Sequence, residues 1–266
     1  MNFIRNMGFT GRSKMANSPD MTLVVLKFHS SDTLASKHVF LKEIQYGQQL
    51  KNSQYIRNLL DVIDGPDARD SLQSFGLSGV RKIMKDVLKG VEELHLQCII
   101  HLDGNSAKLS DLGSTWKASP PSVGIAQPMP YGSPETLFGL QWSKEVDIWG
   151  WGMVYLHMIQ AYLRPDIWGL NDRFPEERAH EATQSYERRI ASDIFHNFQL
   201  RTIPYYHQCR EKWPVINPEE EKVTLPMLPE YLQFPSRDKQ LLERVLDPDP
   251  RTRSTATDLL GSGLLD

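Results

Sequence analysis

The sequence predicts an α+β chain in two unequal parts: a short β-rich part, then a longer and mostly helical one. Three observations predict it. Leu23-Val24-Val25-Leu26-Lys27-Phe28 is a compact β-rich run. Over residues 78–96, Val80, Ile83, Met84, Val87, Leu88, Val91 and Leu94 recur at spacings of three and four, the period of an amphipathic helix. Residues 237–260 add two helices around an Asp-Pro turn, with Leu241, Leu242, Val245 and Leu246 on the first and Ala256, Leu259 and Leu260 on the second. Gly261 is a suitable stop for the last of them.

Taken in order, residues 1–20 are polar, contain Gly8 and Gly11, and show no period, which predicts a disordered tail. The tail carries Arg5, Arg12 and Lys14 without an acid in its first 19 residues, a faint likeness to an organelle transit peptide; a basic tail is the preferred reading. Residues 36–50 have a helical pattern built on Val39, Phe40, Ile44 and Leu50, and residues 56–64 read as the next strand. Ser78 is placed to cap the long helix, and His95 near its end reads as packing rather than chemistry. Residues 114–130, rich in Ser and Pro, are expected to form a mobile loop. Trp149, Val154 and Leu156 mark an apolar central helix, and seven prolines between 164 and 235 break that region into short pieces. The expected organisation is a tail over 1–20, a small β-rich unit over 21–69 and a helical unit over 70–266.

Composition narrows the function classes. The 266 residues suffice for a sizeable core. A net charge of −3 and a pI near 6.3 give no global electrostatic case for nucleic acid or an anionic membrane. No apolar run approaches the ~20 residues that cross a bilayer. Cys98 and Cys209 are far apart, which fits a reduced protein of cytoplasm or nucleus rather than a disulfide framework.

The motifs speak through their order. Asp111-Leu112-Gly113 is followed by the Ser/Pro-rich run, by Tyr131-Gly132-Ser133-Pro134-Glu135, and then by Asp147-Ile148-Trp149-Gly150-Trp151-Gly152. Lys27 ends the first β-rich run, Glu43 lies in the helical pattern that follows, and Asp249-Pro250-Arg251-Thr252-Arg253 comes late in the chain. In order and spacing the chain resembles the eukaryotic protein kinases of Ser/Thr type, and Gly65-Pro66 through Leu77 resembles the serine/arginine-protein kinase branch. The resemblance implies a bilobal fold with a reduced β-rich N-lobe and a mostly helical C-lobe. It also implies ATP and Mg²⁺ as cofactors and a protein as substrate or partner. By the same resemblance Lys27 holds nucleotide phosphates, Glu43 positions Lys27, and Asp111 binds metal. Glu135 pairs with Arg253, and Asp147 accepts hydrogen bonds from the backbone of the catalytic turn.

The sequence also departs from that pattern. Gly8 and Gly11 do not make Gly-x-Gly-x-x-Gly, and Gly65-Pro66-Asp67 stands where a second strand and hinge would be. His101-Leu102-Asp103 offers a His-x-Asp, with Asp103 the base by default, yet Lys108 occupies the place of the second metal-ligand Asn. The preferred alignment instead makes Leu102-Asp103-Gly104-Asn105 a hairpin turn, with about ten residues absent relative to the family. Three readings follow: a catalytically impaired kinase with weak nucleotide binding, a non-catalytic pseudokinase scaffold, or a chain from which blocks are missing.

Overall fold

The computed structural model describes residues 6–8, 11–17, 23–29, 45–46, 49–50, 52–53, 56, 68–101, 115–124, 127, 131–163, 183–214 and 233–266. Its elements in chain order are β1 (Asn6–Gly8), β2 (Gly11–Asn17), β3 (Leu23–His29), α1 (Ala68–Leu96), β4 (Ile99–Ile100), β5 (Trp116–Lys117), α2 (Pro134–Leu137), α3 (Glu145–Leu163), α4 (Thr183–Asn197), two 3-10 helices (Leu200–Thr202 and Pro204–Lys212), α5 (Ser236–Val245) and α6 (Ala256–Gly261).

The N-terminal sheet corrects one expectation. β1, β2 and β3 form an antiparallel meander, with Gly8 opposite Gly11, Ser13 opposite Lys27 and Asn17 opposite Leu23. Residues 6–8 and 11–17 therefore belong to a sheet and not to a disordered tail. The run from Gly11 to Asn17 is polar and does not alternate, so nothing in it marks a strand except its pairing with the apolar β3.

The helical part is organised around α3. Twelve of its nineteen residues are buried, on all sides, as in a helix enclosed by its own domain. α1 lies against it. Trp151 Nε1 donates to the Met84 carbonyl at 2.9 Å, and Tyr155 stacks on Trp151 with ring centroids 5.3 Å apart. α5 approaches from another side, so closely at Gly152 that a Cβ there would meet Val245 Cγ2 at 2.7 Å and Leu246 Cδ2 at 2.8 Å. Glycine is required at that crossing.

α1 is longer than the periodicity suggested and is broken once. Gly76 leaves the helical region (φ 65°, ψ 171°), separating a short leading piece from the regular stretch that runs on to Leu96. Only glycine takes that backbone conformation without strain. The regular stretch buries Val80, Met84, Val87, Leu88, Val91 and Leu94 of the stripe read from the sequence, while Ile83 is half-buried. Tyr46, Leu50 and Ile56 pack into the same core.

One polar cluster is buried between three helices. Arg81 of α1 donates to both oxygens of Asp238 of α5 at 2.8 and 2.7 Å, and the Tyr155 hydroxyl of α3 donates to the same carboxylate at 2.6 Å. Asp238 is fully buried, and these three donations offset the cost of its desolvation. α6 begins with a capping box in which Thr255 and Asp258 exchange side-chain to backbone hydrogen bonds.

Candidate functional site

Glu135 occupies the first turn of α2, where a carboxylate faces the positive end of the backbone dipoles. Arg253 reaches it from the turn before α6. Its Nη1 donates to Oε1 at 2.7 Å and its Nη2 to Oε2 at 3.0 Å, a two-pronged pair with both side chains wholly buried. The guanidinium donates further to the carbonyls of Asp247 and Glu145, each at 2.8 Å, and sits 5.1 Å from the centre of the Trp149 ring. Burial works against the charge on Arg253, and the facing Glu135 carboxylate outweighs it and raises the guanidinium pKa.

Asp147 lies in the first turn of α3 and is buried. Its Oδ2 accepts from the backbone N–H of His101 at 2.8 Å and from His95 Nε2 at 2.9 Å. Since a carboxylate only accepts, the His95 ring carries its proton on Nε2. This carboxylate fixes the chain at the end of β4.

β4 pairs antiparallel with β5, Ile99 opposite Lys117 and Ile100 opposite Trp116. Of the mobile loop expected over 114–130, the described residues 115–124 are instead fastened down. Ala118 N donates to the Cys98 carbonyl at 2.9 Å, and the Ala118 carbonyl accepts from Ser143 Oγ at 3.1 Å. Ser122 and Trp142 exchange backbone hydrogen bonds at 3.0 and 2.9 Å, and Trp142 Nε1 donates to the Gly124 carbonyl at 2.9 Å. Trp116 stands edge-on to Trp142 with centroids 6.4 Å apart. The buried indole of Trp142 supplies the apolar contact and the donor that a Ser/Pro-rich run lacks.

Gln127 is the other residue that sequence reasoning missed. Its Nε2 donates to the Val146 carbonyl at 2.8 Å, and its Oε1 accepts from the Ser133 N–H at 3.0 Å. Nothing in its neighbourhood of prolines and small residues signals that role. Tyr131 at the start of the same turn is within 3.4 Å of His157 Nδ1 through its hydroxyl.

The structure brings Glu135 and Arg253 together and seats Asp147 under His101. Lys27 is in β3, opposite Ser13. Glu43, Asp103 and Asp111 lie outside the described residues. Among the described residues no group of three or more His, Cys, Asp or Glu gathers as a metal site, and no helix is long and apolar enough to cross a membrane.

The family description "Protein kinase domain" matches residues 8–264, nearly the whole chain. The chain belongs to the protein kinase family. This kinase domain is 29% identical over 224 residues to a probable cyclin-dependent kinase 10 of Dictyostelium discoideum, covering 77% of this chain and 54% of that protein. It is 29% identical over 131 residues to a probable serine/threonine-protein kinase of the same organism, covering 44% of this chain and 30% of that one. The chain thus spans about a third to a half of the length of these curated relatives. Among solved structures, the yeast RNA Pol II CTD kinase CTDK-1 complex matches with a TM-score of 0.69 at 18% identity, covering 97% of this chain and 90% of that chain. At that identity the likeness shows the fold, which is the α+β bilobal kinase fold.

Proposed function

We propose that this kinase domain is of Ser/Thr type with impaired phosphoryl transfer, its C-lobe serving chiefly to hold a protein substrate or partner. The observation that carries the reading is the pairing of Ile100 with Trp116. It leaves residues 101–115 to supply everything between those two strands. A working kinase needs there a His-Arg-Asp-x-x-x-x-Asn loop, a strand pair and the metal-binding Asp. If His101 began that loop, it would end at Lys108, and only Leu109 and Ser110 would remain before Asp111. Two residues do not make a strand pair. Kinase catalysis is positioning plus electrostatics, so an absent Asn and a displaced base each remove transition-state stabilisation.

By family, ATP and Mg²⁺ are the cofactors. Lys27 would hold the phosphates, Glu43 would orient Lys27, Asp111 would take the metal, and Asp103 is the base by default. The second reading, a pseudokinase scaffold without chemistry, draws on the same short connection and on the buried ties of the C-lobe. A radiolabelled-ATP assay on the purified chain with a Ser/Thr peptide tests the loss of transfer that both readings share, with Asp111→Asn as the blank. The expected signal does not exceed that blank, and Asp103→Asn changes nothing. Clear transfer that disappears in both variants would restore Asp103 as the base and overturn the impaired reading.

A further inference from the structure

We propose that the groove between α1 and α6 is a self-association surface. Its occupant is α1 of a second copy of this chain, laid antiparallel to the first.

The groove is open, with a volume of about 460 Å³, and is lined by Lys85, Lys89, Glu92, Glu93 and Leu96 of α1 and by Leu260 of α6. Leu96 ends α1 at 77% exposure, while Leu88 and Leu94 of the same helix are fully buried. The stripe from Val80 to Leu94 is taken up by the core of the lobe. On the groove side, Lys85, Lys89, Glu92 and Leu96 follow one another at spacings of four, three and four. That is the spacing of a seam that faces another helix.

The charges on this seam stand in an order that a lone helix disfavours. Lys85 and Lys89 are like charges one turn apart, and Lys89 precedes Glu93 by four, the weaker order for such a pair. Glu93 also stands in the last turn, at the negative end of the backbone dipoles. Local bonds answer part of this. Lys89 bridges Asp86 at 2.9 Å and Lys85 bridges Asp266, but exposed pairs of this kind contribute little. Thr257 Oγ1 donates to Glu92 at 2.7 Å and Ser53 Oγ donates to Glu93, and a carboxylate can accept more than one such bond.

A positive half followed by a negative half is its own complement when reversed. With a second α1 turned end for end about a twofold axis, Lys89 of each copy faces Glu92 of the other. Leu96 of each then lies across the aliphatic stem of Lys85 of the other. One axis satisfies both pairings, because both are centred on the same point of the helix. A parallel copy, or a ligand of a single charge sign, would meet like charge along half of the groove. A contact built on one helix pair stays below the ~1,200 Å² of standard interfaces, so the expected association is weak, with a Kd of tens of micromolar.

Sedimentation equilibrium of the full chain from about 1 to about 300 μM tests this. The unmodified chain should pass from monomer to dimer over that range. Lys89→Glu, Glu92→Lys and Leu96→Asp should each raise Kd about tenfold or more. The mixture of the first two is decisive. Each of those variants sets like charges against each other in its own dimer, yet together they place Glu opposite Lys at both contacts. An equal mixture should dimerise at least as tightly as the unmodified chain. Urea midpoints matching that of the unmodified chain report that the variants are folded, and Leu96→Asp, at an exposed position, keeps the test decisive if a charge change disturbs the fold. A chain that stays monomeric throughout overturns the proposal and leaves the groove to a different protein. A dimer that survives all three substitutions, or a mixture no tighter than its components, overturns it as well. Mass is the readout, so the outcome is independent of phosphoryl transfer.

Discussion

Glu135→Ala should destabilise the C-lobe by about 3 kcal/mol, the lower end of the range for breaking one side of a buried ion pair. The pair is fully buried, so truncation leaves the Arg253 guanidinium charged, dry and without its two carboxylate acceptors. The loss is held to the lower end because Arg253 keeps its hydrogen bonds to the carbonyls of Asp247 and Glu145 and its place over Trp149. For a domain of this size a urea m-value near 3 kcal/mol/M converts that loss to a midpoint shift of about 1 M. Tryptophan fluorescence reports it, since Trp149 and Trp151 sit in the affected core. Lys27→Ala is the comparison. Its strand belongs to the small N-terminal sheet, and its change should stay near the ~0.5 kcal/mol of an ordinary substitution away from the core. Equal shifts, or a larger one for Lys27→Ala, would refute the view that the Glu135–Arg253 pair ties the lobe's core together.

Three further outcomes are expected. If Gly65-Pro66-Asp67 stands in place of a hinge, adenine forgoes backbone hydrogen bonds worth about 0.5–1.5 kcal/mol each, and millimolar Mg·ATP should barely move the melting temperature; a rise of several degrees would argue against this. Burial, followed by the hydrogen bond to Asp238, raises the Tyr155 pKa, and burial raises that of Tyr206. Because the folded values exceed the unfolded value near 10, the unfolded chain releases protons first, and stability should fall as pH climbs above about 10. Tyr155→Phe should flatten that decline in urea titrations while lowering stability at neutral pH by about 1.5–3 kcal/mol, the worth of a hydrogen bond to a charged group. Gly152→Ala should lower stability by about 1–3 kcal/mol through overpacking against Val245 and Leu246, measured by urea unfolding; a neutral result would mean that α5 yields easily.

What the sequence made legible follows from where its signals are local. The stripe on α1 is a periodicity, and its buried residues are the apolar ones at spacings of three and four. Glu135, Asp147 and Arg253 were legible through motif order, and the structure places all three in buried hydrogen-bonded positions. β1 and β2 were not legible, because a polar strand is specified by its neighbour and not by its own composition. The ordering of residues 115–124 was hidden for a similar reason. Its fastener, Trp142, stands twenty residues beyond Ser122 and belongs to no motif in the sequence. Gln127 gave no signal, since a clamp made by one amide has no period and no partner motif. Residues 102–114, where the sequence offered a turn at Asp103-Gly104 and a metal-binding Asp111, lie outside the described residues.

The sequence distances spanned by the buried ties have a consequence for how the chain is made. Glu135 meets Arg253 across 118 positions, and Arg81 meets Asp238 across 157. While the chain grows from its N-terminus, α1 and α2 can form, but the partner of Arg81 is made 157 residues later and that of Glu135 118 residues later. Until Arg253 clears the ribosome, Glu135 has no cation to face and stays hydrated, which keeps α2 from settling into the core. Contacts of such long range also slow closure of the lobe. During that interval the apolar sides of α1 and α3 are open to solvent, a state that invites chaperone binding or aggregation. The same arrangement makes completion of the C-lobe a late, nearly single event rather than a gradual accretion.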